Sequence, residues 1–126
     1  MKYILTSLLI FTLLLVFCLC SAGYVTASVK QTEGLLHQAM LQHQLGDHVQ
    51  AAQTVQAAAA NWDSHQLYFG TVLRHDEVDD VMAEFSKLEA YAYSKDQDDF
   101  RSNCAGLLAT LQHIRDMEWP YLYNIL

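Results

Sequence analysis

The sequence predicts an all-α protein: one N-terminal transmembrane helix followed by a small antiparallel helical bundle of three to four helices. Three observations predict this fold. The run from Tyr3 to Ala22 contains no charged residue, and the chain has a single proline, Pro120. Beyond it, apolar residues recur at the spacing of three and four that is typical of amphipathic helices. We therefore expect a membrane anchor segment over residues 1–29 and an acidic helical domain over residues 30–126.

The N-terminal apolar run is long enough to cross a bilayer as a helix. At a rise of about 1.5 Å per residue, residues 3–22 span about 30 Å, the thickness of the hydrocarbon core. The run is longer than the apolar part of a cleaved signal peptide, which is about 7 to 15 residues, and this favours a retained anchor. Cys20 and Ala22 are small residues at the two positions that a signal peptidase recognises, so cleavage after Ala22 is the alternative.

The charges that flank the run favour one orientation. Lys2 and Lys30 lie on either side of it, and the α-amino group adds positive charge at the N-terminal side. Because positive charge is enriched on the cytoplasmic side of membrane helices, we expect the C-terminal domain to lie outside the cytoplasm. The expected location is the cell membrane, with a single pass, and the lipid bilayer is the first expected partner.

The charge of the domain excludes some functions. The chain has a net charge of −7, and all fourteen Asp and Glu residues follow residue 29, whereas Lys2 precedes it. So acidic a domain is a poor partner for nucleic acid or for anionic lipid surfaces. Residues 30–126 suffice for one small core. Cys104 is the only cysteine among them, so no intramolecular disulfide can stabilise this domain.

Each expected helix of the domain has an apolar stripe. The stripes are Leu35, Leu36, Ala39 and Met40 in the first; Val49, Ala52, Val55, Ala59 and Trp62 in the second; Val78, Val81, Met82, Phe85 and Leu88 in the third; and Phe100, Cys104, Leu107, Leu108, Leu111 and Ile114 in the fourth. Gly46 and Asp47 predict a turn between the first two helices. The second stretch can continue through Phe69 and Val72, although Gly70 weakens that end.

Acidic residues indicate where the last two helices begin. Asp76 is the expected N-cap of the third helix, with Glu77 and Asp79 in its first turn, where the helix dipole favours negative charge. The fourth helix is expected to start near Asp96 and to end before Pro120, because proline cannot continue a helix.

Residues 75–80, His-Asp-Glu-Val-Asp-Asp, form the densest cluster of reactive side chains. On a helix, His75 and Asp79 share one face, since they are four residues apart. The simpler interpretation is an acid-rich helix start with a His–Asp pair. The alternative is a site in which His75, Glu77 and Asp79 hold a metal or a cationic ligand.

The remaining reactive residues do not form a recognisable site. His37, His43 and His48 are too irregularly spaced to share a helix face, so we expect them at the surface or at its boundary. Cys104 lies within an apolar stripe and is expected to be a buried thiol. The chain has no Gly-x-Ser-x-Gly, Cys-x-x-Cys or phosphate-loop motif. We therefore expect no enzymatic activity and no cofactor.

The C-terminal tail is too apolar for a free solvated terminus. We expect it to pack on the bundle, with the membrane interface and a docking site on a membrane protein partner as alternatives. The expected interaction residues of this tail are Trp119, Tyr121, Tyr123, Asn124, Ile125 and Leu126.

The order of these motifs resembles a known family. The anchor, the His-Asp-Glu-Val-Asp segment that starts at His75, and the ending Asn124-Ile125-Leu126 resemble the single-anchor proteins called domain of unknown function 4363. That family is found mainly in spore-forming Gram-positive bacteria. The resemblance implies a membrane-anchored helical protein without an assigned activity. It also implies a larger role for His75, Glu77, Asp79 and Asn124 than their chemistry alone suggests. We therefore expect an interaction or accessory protein. The alternative is an extracytoplasmic sensor that binds a metal or cationic ligand at residues 75–79.

Overall fold

The computed structural model describes residues 1–72, 75–94 and 96–118, and these form five helices. They are α1 (Lys2–Gln44), α2 (His48–Ser64), α3 (Gln66–Val72), α4 (His75–Ala92) and α5 (Gln97–Glu118). Within these ranges there is no strand, so the predicted all-α fold is confirmed. Two elements differ from the expectation. The apolar run and the first helix of the domain are one continuous helix, and residues 66–72 form a helix separate from α2.

α1 has an exposed half and a packed half. Residues 3–20, which we call the apolar segment, are exposed, and α1 is long and apolar enough to cross a membrane. Farther along, one face of α1 is buried every three or four residues. Its buried residues are Ala22, Val25, Ser28, Val29, Thr32, Leu36, Ala39 and His43. The boundary expected between residues 29 and 30 therefore lies inside α1, about two turns after bundle packing begins.

Four helices form a closed antiparallel arrangement. α1 packs on α2 and α5, α4 packs on the same two helices, and α3 contacts α4 and α2. Phe100 at the start of α5 stacks on His43 near the end of α1, so α5 runs antiparallel to α1. We call the end that contains the turn at Gly46 the distal end. The end next to the apolar segment, with α3 and the start of α4, is the proximal end.

The core matches the predicted stripes on α4 and α5 and departs from the one on α2. Trp62, Phe69, Phe85 and Phe100 are its largest fully buried side chains. On α2, Val49 is 61% exposed, while Ala51 and Ala58 are buried. Three of the six buried residues of α2 are alanines. Small side chains let α2 approach α1 closely. The face of α2 that is buried is therefore slightly rotated from the predicted stripe, which contained Val49.

Polar side chains connect neighbouring helices across the bundle. The interhelical contacts are Thr54 Oγ1 to Gln42 Oε1 at 2.6 Å, Asn61 Nδ2 to Thr32 Oγ1 at 2.9 Å, Gln56 Nε2 to Glu89 Oε1 at 2.6 Å and Arg115 Nη1 to Glu33 Oε2 at 2.7 Å. Both charged groups of the last pair are largely shielded from solvent, which strengthens the interaction relative to a surface ion pair.

The turn after α1 and the start of α5 lie where the sequence predicts them, whereas the start of α4 does not. Gly46 has a φ of +87° in the turn after α1. Asp96 Oδ1 accepts the backbone N–H of Asp98 at 3.0 Å and of Asp99 at 3.4 Å, as an N-cap does. α4, however, begins at His75. Asp76 is therefore the second residue of the helix, within its first turn, and its prediction as the N-cap is wrong.

Candidate functional site

The proximal end contains a cluster of aromatic and polar side chains where α1 leaves the apolar segment. The Tyr24 ring lies edge-on to Tyr68, with centroids 4.7 Å apart, and its centroid is 5.5 Å from that of His65. The hydroxyls of Ser21 and Tyr68 form a hydrogen bond. Phe69 is fully buried, and its ring lies 4.5 Å from that of Trp62. These contacts hold α3 directly against the start of the packed half of α1.

Beside this cluster, a groove of about 600 Å³ opens between α2, α3 and α4. Its lining residues are Asp63, Gln66, Leu67, Gly70, His75, Val78 and Asp79. The His75 ring lies over Gly70, because a Cβ built on this glycine would be 3.7 Å from His75 Cε1. The groove is thus lined by the carboxylates of Asp63 from α2 and Asp79 from α4 and by the imidazole of His75. Asp63 carries no sequence signal for this site, since only the packing of α2 against α4 brings it near His75 and Asp79.

Of the three predicted metal ligands, the structure brings two together and leaves the third apart. His75 and Asp79 line the groove together, as their spacing of four predicts, whereas Glu77 is absent from its lining. Glu77 is half-buried, and its Oε2 atom has no hydrogen-bond partner among the described residues. At about 100° of rotation per residue, position 77 falls on a different face of α4. Across the described ranges, no three His, Cys, Asp or Glu side chains are grouped so as to hold a metal.

His43 occupies the distal end of the core, contrary to the prediction of a surface or boundary position. Its ring is only 2% exposed and stacks on Phe100 with a centroid distance of 4.2 Å. His43 Nε2–H donates a hydrogen bond to the Ser94 carbonyl at 3.0 Å. The spacing of Leu36, Ala39 and His43 was the available sequence signal, because it continues the buried face of α1.

The surroundings of His43 favour its neutral form. Burial lowers the pKa of His43; the hydrogen bond to Ser94 opposes this effect, and the nearby His48 reinforces it. The two histidine rings are 4.5 Å apart across the turn, although their sequence spacing did not predict a contact. A cavity of about 190 Å³ adjoins His43. It is lined by Met40, His43, Gln44, Gln97, Asp98, Phe100 and Arg101.

Cys104 is a buried thiol, as predicted. It is fully buried, and burial raises its pKa to about 12. Its Sγ donates to the Leu36 carbonyl at 3.6 Å, which satisfies the thiol within the α1–α5 contact. A thiol with so high a pKa is a poor nucleophile at neutral pH.

The predicted interaction tail lies outside the described residues. This applies to Trp119, Tyr121, Tyr123, Asn124, Ile125 and Leu126. α5 runs from the distal to the proximal end, so its last described residue, Glu118, lies toward the apolar segment.

Comparison with protein families identifies the chain. A family model described as Domain of unknown function (DUF4363) matches residues 19–125. The chain belongs to the DUF4363 family. The match begins near the end of the apolar segment and covers the packed half of α1 and all later helices, so the resemblance inferred from the sequence is confirmed. Comparisons with curated proteins and with solved structures gave no match.

Proposed function

We propose that this DUF4363 protein is a single-pass, non-catalytic accessory protein. It holds its acidic bundle at the outer face of the cell membrane, where the bundle and the tail interact with a membrane protein partner. One observation carries the proposal: the apolar segment and the first packed helix of the bundle are the same helix, α1.

The continuity of α1 supports a positioning role. A flexible linker between an anchor and a domain would let the domain swing freely. Here the buried face starts at Ala22, directly after the apolar segment, and Ser21 already contacts α3. A bundle joined in this way keeps one height and one rotation relative to the membrane. That arrangement suits a protein that presents a defined face to a neighbour in the bilayer.

The state of the reactive side chains supports a non-catalytic role. The Cys104 thiol is fully buried with a pKa of about 12. The His43 ring is stacked and hydrogen-bonded within the core. Both groups stabilise helix contacts, so neither is free to act on a substrate.

Fractionation and proteolysis test the proposed membrane topology. The full chain should remain in the membrane fraction after carbonate washing. Protease added outside intact protoplasts should digest the region after Lys30. A soluble product that starts near Gly23 would contradict the retained anchor, and complete protection of the region after Lys30 would contradict the outward orientation.

Co-purification tests the proposed partner contact. The full chain, solubilised in mild detergent, should retain a membrane protein that a chain ending at Trp119 loses. Circular dichroism should show that the shortened chain keeps its helices. A matched control, Leu45→Glu, changes an exposed apolar residue at the distal end and should retain the partner. Equal recovery with the shortened chain would contradict the role of the tail.

The groove favours a second candidate function, binding of an organic cation. Asp63 and Asp79 line the same groove, and a positively charged ligand is the electrostatic complement of two carboxylates. 1,4-Diaminobutane is a suitable probe for calorimetry with the full chain. Binding should be lost in Asp63→Asn and Asp79→Asn and kept in Asp98→Asn, a change at the distal end. The absence of binding to the full chain would exclude diamines as ligands.

A further inference from the structure

α3 differs from the other helices of the bundle in composition and exposure. None of its residues, Gln66–Val72, is charged, although the domain as a whole is strongly acidic. Leu67 on this helix is 89% exposed, which is more than any large hydrophobic residue of the apolar segment. Single exposed apolar side chains are common on helical bundles, and Leu41, Leu45 and Val49 are exposed at the distal end. What distinguishes Leu67 is therefore its position next to the apolar segment.

The position of α3 relative to the apolar segment indicates what that partner is. The hydroxyl of Tyr68, the neighbour of Leu67, forms a hydrogen bond with the Ser21 hydroxyl, and Tyr24 packs against the Tyr68 ring. Ser21 directly follows the apolar segment. As a helix, residues 3–20 span about 27 Å, close to the hydrocarbon thickness of about 30 Å. When this segment crosses a bilayer, Ser21 and therefore Tyr68 lie at the level of the lipid headgroups.

We infer that α3 lies in the interfacial layer of the membrane, with Leu67 inserted toward the acyl chains and the Tyr24 and Tyr68 rings among the headgroups. This inference rests on the proposed membrane anchoring of α1. Tyrosine is enriched at this depth because its ring is apolar and its hydroxyl is polar. At this depth, lipid surrounds the exposed apolar side chains of α1, so the same lipid covers Leu67.

The charges near α3 indicate which lipid surface it contacts. Asp63 precedes α3, and the sequence directly after α3 has one cationic residue, Arg74, followed by four acidic residues at positions 76, 77, 79 and 80, so carboxylates are in excess. Carboxylates are repelled by anionic headgroups, so the matching surface is a zwitterionic one such as phosphatidylcholine. α1 and α3 then form two separate contacts with the membrane. Together they restrict both the tilt and the rotation of the bundle.

Photocrosslinking to lipid tests the inference at three positions in the full chain. p-Benzoylphenylalanine replaces Leu9 in the apolar segment, Leu67 in α3 or Leu45 at the distal end. All three leucines are exposed. Leu45 lies about 36 Å beyond Ser21 along α1, far from the membrane. Each variant is reconstituted into phosphatidylcholine vesicles and irradiated, and lipid adducts are identified by mass spectrometry.

The expected result is a lipid adduct at positions 9 and 67 and none at position 45. An adduct at 9 without one at 67 overturns the inference and leaves the membrane anchoring intact. The absence of an adduct at 9 contradicts the anchoring itself, and the inference with it. An adduct at 45 as well as 67 also overturns the inference, because the bundle would then lie flat on the surface.

A second measurement does not depend on the photoreactive residue, which could itself disturb the fold. Brominated phosphatidylcholine should quench the fluorescence of a Leu67→Trp chain more strongly than that of a Leu45→Trp chain, after subtraction of the unsubstituted chain. Equal quenching in the two variants would contradict insertion of α3. Circular dichroism should show the same helix content for both variants, since both positions are exposed.

Discussion

At the scale of single residues, His43 shows how a polar side chain becomes part of a core. Its imidazole is apolar on both faces, and one face stacks on Phe100. Its Nε2–H is satisfied by the Ser94 carbonyl, so burial leaves this donor paired. Burial removes water that would stabilise the protonated, charged ring, and it therefore lowers the pKa of His43.

The lowered pKa of His43 predicts a pH dependence of stability. The unfolded chain, in which the histidine pKa is about 6.5, binds more protons than the folded chain below that pH. The thermal midpoint of the full chain in detergent should therefore fall as pH decreases from about 7 to about 5. His43→Leu should reduce this slope, whereas His37→Leu, at an exposed position, should leave it unchanged. Identical slopes in the His43→Leu variant and the parent chain would contradict the assignment.

At the scale of elements, local polar groups decide where the helices begin. Asp96 accepts two backbone N–H groups at the start of α5, and Asp47 Oδ1 accepts that of Gln50 at the start of α2. These N–H groups have no partner within their own helix. The side-chain caps therefore stabilise the two helices independently of the core.

Removal of the Asp96 cap should destabilise the bundle. Asp96→Ala should lower the free energy of unfolding by about 0.5 to 2 kcal/mol. Because about 1 kcal/mol shifts the midpoint of a domain this size by about 4 to 8 °C, thermal denaturation can resolve the change. Asp96→Asn is the matched control, since its side-chain oxygen still accepts the same bonds. A similar loss in both variants would show that charge, and not the cap, is responsible.

Two glycines should respond in opposite directions to the same substitution. Gly106 lies exposed within α5, and a Cβ there would meet no atom within 4 Å. Gly106→Ala should therefore raise stability by about 0.5 to 1 kcal/mol. Gly46 has a φ of +87°, so Gly46→Ala should lower stability by about 1 kcal/mol. Thermal midpoints of the two variants measure the difference, and a gain at Gly46 would contradict the observed turn.

At the scale of the whole molecule, α1 combines a lipid-compatible segment and a core helix. The residues before Ser21 are exposed, and one face of α1 from Ala22 onward contributes to the core. Nothing in the backbone marks the change, since α1 continues without a break. The functional boundary is thus set by what surrounds the helix, with lipid proposed on one side and α2 and α5 on the other.

Single-residue insertions should locate this boundary. One alanine inserted after Val29 rotates Val25 and Val29 by about 100° away from the rest of the core face. We expect a loss of about 3 kcal/mol, the scale for exposing two buried valines. One alanine inserted after Leu9 turns the apolar segment and leaves the bundle intact, so its thermal midpoint should be unchanged. Equal midpoints for the two insertions would place the start of the bundle after Val29.

The amino-acid sequence by itself determined the all-α fold and most of the core. The apolar run, the turn at Gly46, the start of α5 near Asp96 and the stripes on α4 and α5 follow from local patterns, because hydrophobic periodicity and capping act within a few residues. The pairing of His75 with Asp79 on one face is likewise a consequence of helical spacing.

Only the tertiary structure decided which faces and side chains meet. Asp63 joins His75 and Asp79 because α2 packs against α4, and Glu33 binds Arg115 because α5 returns along α1. The burial of His43 also required a partner, Phe100, from the far end of the chain. Such contacts cannot be predicted from sequence spacing, because they depend on how the helices pack against each other and not on the periodicity within one helix.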